Sequence, residues 1–195
     1  MRRFVGVLLT VLGLVLAGVT VAHLVKGDHD AAQAQQRLRA EVPEQALVRG
    51  GNAVPVARRV APGHALVEMH IPRFGASWSW VALEGTSQDV LADGPGHYPG
   101  TPLPGERGNV AFAAHRAGHG DPFLDFDRLR ARDVVELRQG NVVWTYVIDT
   151  APVIVPATAS WVLDPIPGRR LTLTTCWPKY GSSKRMYVRA HLART

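Results

Sequence analysis

One cysteine, Cys176, is all that 195 residues contain, so no intramolecular disulfide can form and no zinc site with several thiolates can be built. A glycine-rich phosphate loop, a paired-carboxylate glycosidase pattern and metal-ligand spacing are also absent from the sequence, so neither a cofactor nor a metal is expected. The loop from Ala157 to Pro167 has Asp164 as its single acid, which argues against a calcium site there. Basic residues outnumber acidic ones, 22 to 16, for a formal net charge of +6. Clustering is what that charge lacks: the arginines are scattered, no basic run carries interleaved aromatics, and no helix-turn-helix, zinc-finger or ribonucleoprotein motif occurs. Nucleic acid is therefore not expected as a partner, and attraction to anionic membrane or cell-wall polymers accounts for the charge. No internal repeat is present, and the length suits one ordinary domain with appendages.

Charge is missing altogether from Phe4 to Val25, apart from His23. A bilayer core takes about 20 apolar residues as helix, which this run supplies. Arg2 and Arg3 precede it, and positive flanks stay cytoplasmic, so the remainder should lie outside the cell membrane as a single-pass protein. A cleaved signal peptide competes, because Ala17 to Ala22 is rich in small residues, but the apolar run exceeds the roughly 7–15 residues usual for one. The expected organisation is a cytoplasmic stub and anchor over 1–27, an extracellular tether over 28–63 and a folded domain over 64–195. Within the tether, Asp30 to Glu41 has helical propensity but no continuous apolar face, and Pro and Gly interrupt the remainder.

From His64 onward, short apolar or alternating runs are separated by Gly and Pro turns. Strands are predicted over Ala65–Ile71, Ser79–Leu83, Val110–His115, Val134–Arg138, Val142–Asp149, Leu171–Cys176 and Met186–His191. Short helices are predicted over Ser87–Ala92 and over Pro122–Arg130, the latter with Asp121 as N-cap. Gln139-Gly140-Asn141 reads as a hairpin turn. Many strands without βαβ alternation imply a mostly β protein, a closed or nearly closed barrel of about seven or eight strands with short helices.

A lone thiol in an exported protein is exposed to oxidation, so use explains it better than packing. Cys176 ends the β-branched run Leu171-Thr172-Leu173-Thr174-Thr175, and Pro178 stops the ladder two residues later, which places the thiol at a strand end where a groove can open. The run LTLTTC is similar to the TLxTC signature of sortases. Asn109 to Arg116, followed by Gly120-Asp121-Pro122-Phe123, resembles the strand, catalytic histidine and following helix start of that family. Lys184-Arg185-Met186-Tyr187-Val188 enters the last strand where sortases carry their essential arginine, nine residues beyond the cysteine. The segments Leu91–Gly100 and Pro104–Asn109 resemble the class E group of high-GC Gram-positive bacteria. Departures are Ala114, where many members have Gly, and His119, where related sequences often carry Tyr.

The resemblance implies a sortase barrel and a cysteine transpeptidase. Such an enzyme cleaves an LPxTG- or LAxTG-like sorting motif between Thr and Gly through a thioacyl-enzyme, and passes the surface protein to an amine of a peptidoglycan precursor or pilin. Cys176 is then the nucleophile, His115 the proton-transfer partner and Arg185 the oxyanion stabiliser, and Tyr98 selects the second motif residue. The chemistry agrees with the residue types: a thiol with pKa near 8.5 needs a proton acceptor, imidazole can take and return that proton, and a guanidinium can hold the tetrahedral oxyanion. Arg189 lies four residues beyond Arg185, and periodicity puts both on one face without separating them. His64, His70, His97, His119 and His191 are the alternatives to His115, and His97 and His119 are candidates to line the groove. Two other readings compete: an L,D-transpeptidase acting on peptidoglycan, whose Ser-x-Gly-Cys context is absent here, and a non-catalytic wall-binding module supported by the basic charge and tether.

Overall fold

A computed structural model describes residues 2–47 and 54–195. Among them are a long helix α1 (Arg2–Arg39), a short helix α2 (Gln88–Asp93) and nine strands: β1 (Ala65–His70), β2 (Ser79–Glu84), β3 (Gly96–His97), β4 (Gly108–Ala113), β5 (Val134–Gln139), β6 (Val142–Ile148), β7 (Val153–Pro156), β8 (Arg169–Trp177) and β9 (Lys184–Arg194). The strand order β6-β5-β1-β2-β3-β4-β8-β9 closes on itself through a second pairing of β9 with β6. Eight strands thus form the expected closed barrel. Strand β7 stands outside the ring, paired with the first residues of β9.

Alternation explains which side chains fill the barrel. Leu171 and Leu173 of β8, Phe112 of β4, Val188 of β9, Leu137 of β5 and Trp144 of β6 all point inward and are buried in one core; each large apolar side chain so buried contributes about 1.5–3 kcal/mol. Thr172, Thr174 and Cys176 occupy the opposite face of β8 by the same period of two. The β5–β6 hairpin turns at Gly140-Asn141, and Gly140 has φ +58 with its Cβ position directly against the Glu44 carbonyl. A side chain there would meet both a conformational and a steric barrier.

Two segments differ from expectation. Pro122–Arg130 is not an α-helix: only Phe126–Arg128 forms a 3₁₀ turn, and Asp121 has φ +55. Phe123, Phe126 and Leu129 are all buried in the core, and their spacing of three suits a 3₁₀ arrangement rather than an α-helical stripe. The stretch 28–63, expected as a tether, is instead packed on the barrel over much of its described length. Helix α1 runs through it to Arg39 and buries Ala31, Ala34, Gln35 and Leu38, spaced i, i+3, i+4, i+7 on one face. Gln35 bonds the backbone of Val81 in both directions (2.7 and 3.0 Å) and the Asp93 carbonyl (2.8 Å). Farther on, Ala57 N–H donates to the Pro104 carbonyl (2.9 Å), and Trp144 Nε1 donates to that of Pro55 (2.8 Å). At the other end of α1, the described large apolar side chains from Val11 to Val25 are 50–69% exposed, which is the surface a membrane-crossing helix offers to lipid.

Candidate active site

Three chain segments meet at one end of the barrel. The parallel pairing of β4 with β8 brings Ala113 opposite Thr174. Pairing continues for one more residue, as Ala114 N–H donates to the Thr174 carbonyl (3.2 Å) and Thr175 Oγ1 donates to the Ala114 carbonyl (2.9 Å). His115 therefore lies two residues past the end of β4 rather than inside a strand, with its carbonyl accepting from Phe123 N–H (3.0 Å). The β8–β9 ladder sets Cys176 directly opposite Arg185, whereas Arg189 pairs with Thr172. Directly paired residues project from the same face, so the register separates the two arginines where periodicity could not.

His115, Cys176 and Arg185 line one cavity of about 650 Å³ together with Gln88, Arg116, Lys179 and Tyr180, and none of its lining residues is acidic. Cys176 is half-buried with a free thiol. Arg185 Nη1 donates to the carbonyls of Ser182 (2.9 Å) and Lys184 (3.1 Å), and among the described residues it has no carboxylate partner. One nitrogen is thus anchored to backbone, and the rest of the donor fork remains for a developing oxyanion. His115 stacks on His119, with ring centroids 4.8 Å apart at 23°. Burial, and secondarily the charge of His119, hold the His115 pKa below the ordinary imidazole value, so the ring is neutral and able to accept a proton at neutral pH.

Four of the other histidines are engaged elsewhere. His97, a candidate groove residue, is fully buried: its Nδ1 lies 2.8 Å from Glu84, and its Nε2 lies 3.0 Å from both the Pro102 carbonyl and Thr101 Oγ1. His70 faces Glu136 (3.3 Å), His191 faces Asp149 (2.6 Å) and His64 lies 3.8 Å from Glu41. Tyr98 is placed beside β8, its hydroxyl 3.0 Å from Thr174 Oγ1, two residues before Cys176 on the same face. Arg189 lies over the rings of Trp161 (5.8 Å) and Tyr187 (5.5 Å). Arg116 and Lys179 are not singled out by sequence reasoning; the available signal is position, one directly after His115 and the other three residues after Cys176. Among the described residues no group of three or more His, Cys, Asp or Glu side chains converges as a metal site would require. A separate hollow of about 350 Å³, lined by Arg39, Val42, Glu68 and Arg138 among others, holds no nucleophile.

Residues 69–193 match the sortase domain family. The chain belongs to the sortases. It is 31% identical over 211 residues to sortase SrtE2 of Streptomyces coelicolor, covering 97% of this chain and 81% of that protein. The solved structure of sortase E from Streptomyces avermitilis is 44% identical, with a TM-score of 0.65 over 69% of this chain and 91% of that one. Sortase E1 of Streptomyces coelicolor, solved with a tripeptide in its active site, is 28% identical with a TM-score of 0.63, over 70% and 92% of the two chains. The relatives are thus of the sortase E type, in line with Leu91–Gly100 and Pro104–Asn109, and this sortase is a cysteine transpeptidase. The L,D-transpeptidase and wall-binding readings fall with that assignment. Sortases act on surface proteins bearing a sorting motif and on amine acceptors, which sets the general kind of partner for this one.

Proposed function

We propose that Cys176 is the nucleophile of this sortase, His115 its proton-transfer partner and Arg185 its oxyanion stabiliser. The observation that carries the proposal is the β8–β9 register, which pairs Cys176 with Arg185 at the cavity that His115 also lines. The Cys176 proton passes to neutral His115 as sulfur attacks the Thr carbonyl of an LPxTG- or LAxTG-like motif, and the carbonyl oxygen becomes an anion held by the free donors of Arg185. Collapse breaks the Thr–Gly bond, and imidazolium returns its proton to the departing glycine nitrogen. The thioacyl-enzyme is then opened by a peptidoglycan-precursor or pilin amine whose proton goes to the same ring. Tyr98, whose hydroxyl lies 3.0 Å from Oγ1 of Thr174, two residues before Cys176 on β8, selects the second residue of the motif.

The apolar part of α1, Phe4–Val25, crosses the cell membrane once with Arg2 and Arg3 inside, and the domain from residue 64 works on the extracellular side. The test is to incubate the full-length protein in detergent with LPxTG- and LAxTG-type peptides and candidate amines, and to read products by mass spectrometry. Cleavage after Thr with transfer to amine is expected from the wild type and not from Cys176→Ala. Equal product from Cys176→Ala would overturn the assignment.

A further inference from the structure

Arg116 is the most deeply buried charge at the site, at 2% exposure. It follows His115 directly, and its guanidinium carbon lies 4.8 Å from the ring centroid of Trp177, the residue directly after Cys176. One nitrogen, Nη2, donates to Asp127 Oδ1 at 2.7 Å, while Nε and Nη1 are buried with no hydrogen-bond partner. Asp127 itself is 47% exposed, so water screens the carboxylate far better than it screens the guanidinium. Arg116 also lines the cavity of Cys176. A packing role alone does not explain two orphaned donors on a fully charged group, because such donors are costly to bury.

We propose that Arg116 is a positioning residue of the catalytic pair: its stack on Trp177 ties the chain end that carries His115 to the one that carries Cys176, and its incompletely neutralised charge favours the Cys176 thiolate. The inference rests on the reading of Cys176 as nucleophile. The other charged or titratable groups facing this region are Arg185 from β9, Lys179 and Tyr180 from the β8–β9 loop, His115 and His119 from the loop after β4, Asp121 of that loop, whose Oδ1 accepts from Gly118 N–H (2.6 Å), and Asp125 beside Lys179 (3.9 Å) in the following segment. None of the residues lining the cavity supplies negative charge to cancel Arg116 from the cavity side.

The test measures the pH dependence of Cys176 alkylation by iodoacetamide in the full-length protein in detergent, together with transpeptidation, for the wild type, Arg116→Met, Arg116→Lys and Asp127→Asn. Met keeps much of the packing volume and removes the charge, so the alkylation midpoint should rise by about one pH unit or more. Lys should bring it back toward the wild-type value. Asp127→Asn removes the counter-charge at an exposed position and should move the midpoint down. Opposite signs for Arg116→Met and Asp127→Asn are the signature of charge, since simple loosening of the site would move both the same way. Should Arg116→Met fail to fold, the Asp127→Asn and Arg116→Lys arms decide: an unchanged or raised midpoint in Asp127→Asn overturns the proposal. Unmoved midpoints in all variants, with alkylation still abolishing transpeptidation, overturn the role of Arg116 alone. Transpeptidation that survives complete alkylation overturns the nucleophile assignment and this inference with it.

Discussion

Cys176 and Arg185 are direct partners in the β8–β9 ladder, while Arg189 stands opposite Thr172, four residues away on each strand. At about 3.3 Å per residue, that separation places Arg189 roughly 13 Å along the sheet, out of reach of an oxyanion formed at Cys176. Arg189 is instead covered by Trp161 and Tyr187.

Arg185→Lys keeps the charge but loses the donor fork, so single-turnover acylation by a sorting-motif peptide should slow by about 100-fold or more, with little change in peptide binding. Arg189→Lys should acylate nearly as fast as the wild type. The reverse pattern, with thermal melts showing both variants folded, would transfer the role to Arg189.

His119→Phe keeps an aromatic ring against His115 and removes a neighbouring charge. The His115 midpoint, followed by NMR of its ring protons, should rise but stay below the ordinary imidazole value, because burial is the larger cause of its depression. The same shift sets the sign for stability. A histidine with a lowered folded pKa binds fewer protons folded than unfolded, so its contribution is complete above the unfolded pKa of about 6.5 and is lost as pH falls through that value toward the folded one. An unchanged midpoint in His119→Phe would contradict the coupling.

How much of this site is legible in the sequence varies with the kind of signal. Strand β8 is readable because Leu171 and Leu173 alternate with threonines, and the cysteine at its end and His115 after β4 sit in distinctive runs. Register is not readable, since residues 185 and 189 share parity and only the ladder tells which one meets Cys176. The docking of α1 is hidden because its buried face consists of Ala31, Ala34, Gln35 and Leu38: two alanines give a weak apolar signal, and a glutamine looks solvated until its amide is seen bonding Val81 and Asp93. Phe123, Phe126 and Leu129 mimic an α-helix in the sequence because their spacing of three fits a helical pattern loosely, although it fits a 3₁₀ turn better. His97 looks available for the groove, and only the fold reveals Glu84 behind it.

Gln35→Leu preserves apolar bulk but leaves the Val81 N–H and carbonyl without their α1 partner. A loss of about 1–3 kcal/mol is expected, seen as a lower melting temperature of the full-length protein in detergent. Unchanged melting would mean that α1 is not held by these bonds.

Tyr98→Phe deletes the hydroxyl that meets Thr174. If Tyr98 borders the second motif position, the ratio of kcat/KM for LPxTG and LAxTG peptides should change by about 2- to 10-fold, the worth of one hydrogen bond. An unchanged ratio would remove Tyr98 from the specificity groove.

Passage of the acyl group through Cys176 is the step on which every other role depends. It is tested by mixing full-length enzyme with a sorting-motif peptide in the absence of added amine, quenching in acid, digesting, and locating the adduct by mass spectrometry. The expected adduct is the peptide's mass up to Thr, carried as a thioester on the fragment containing Cys176. An adduct on any other residue, or cleavage after Thr with no adduct on Cys176 at any quench time, would contradict it.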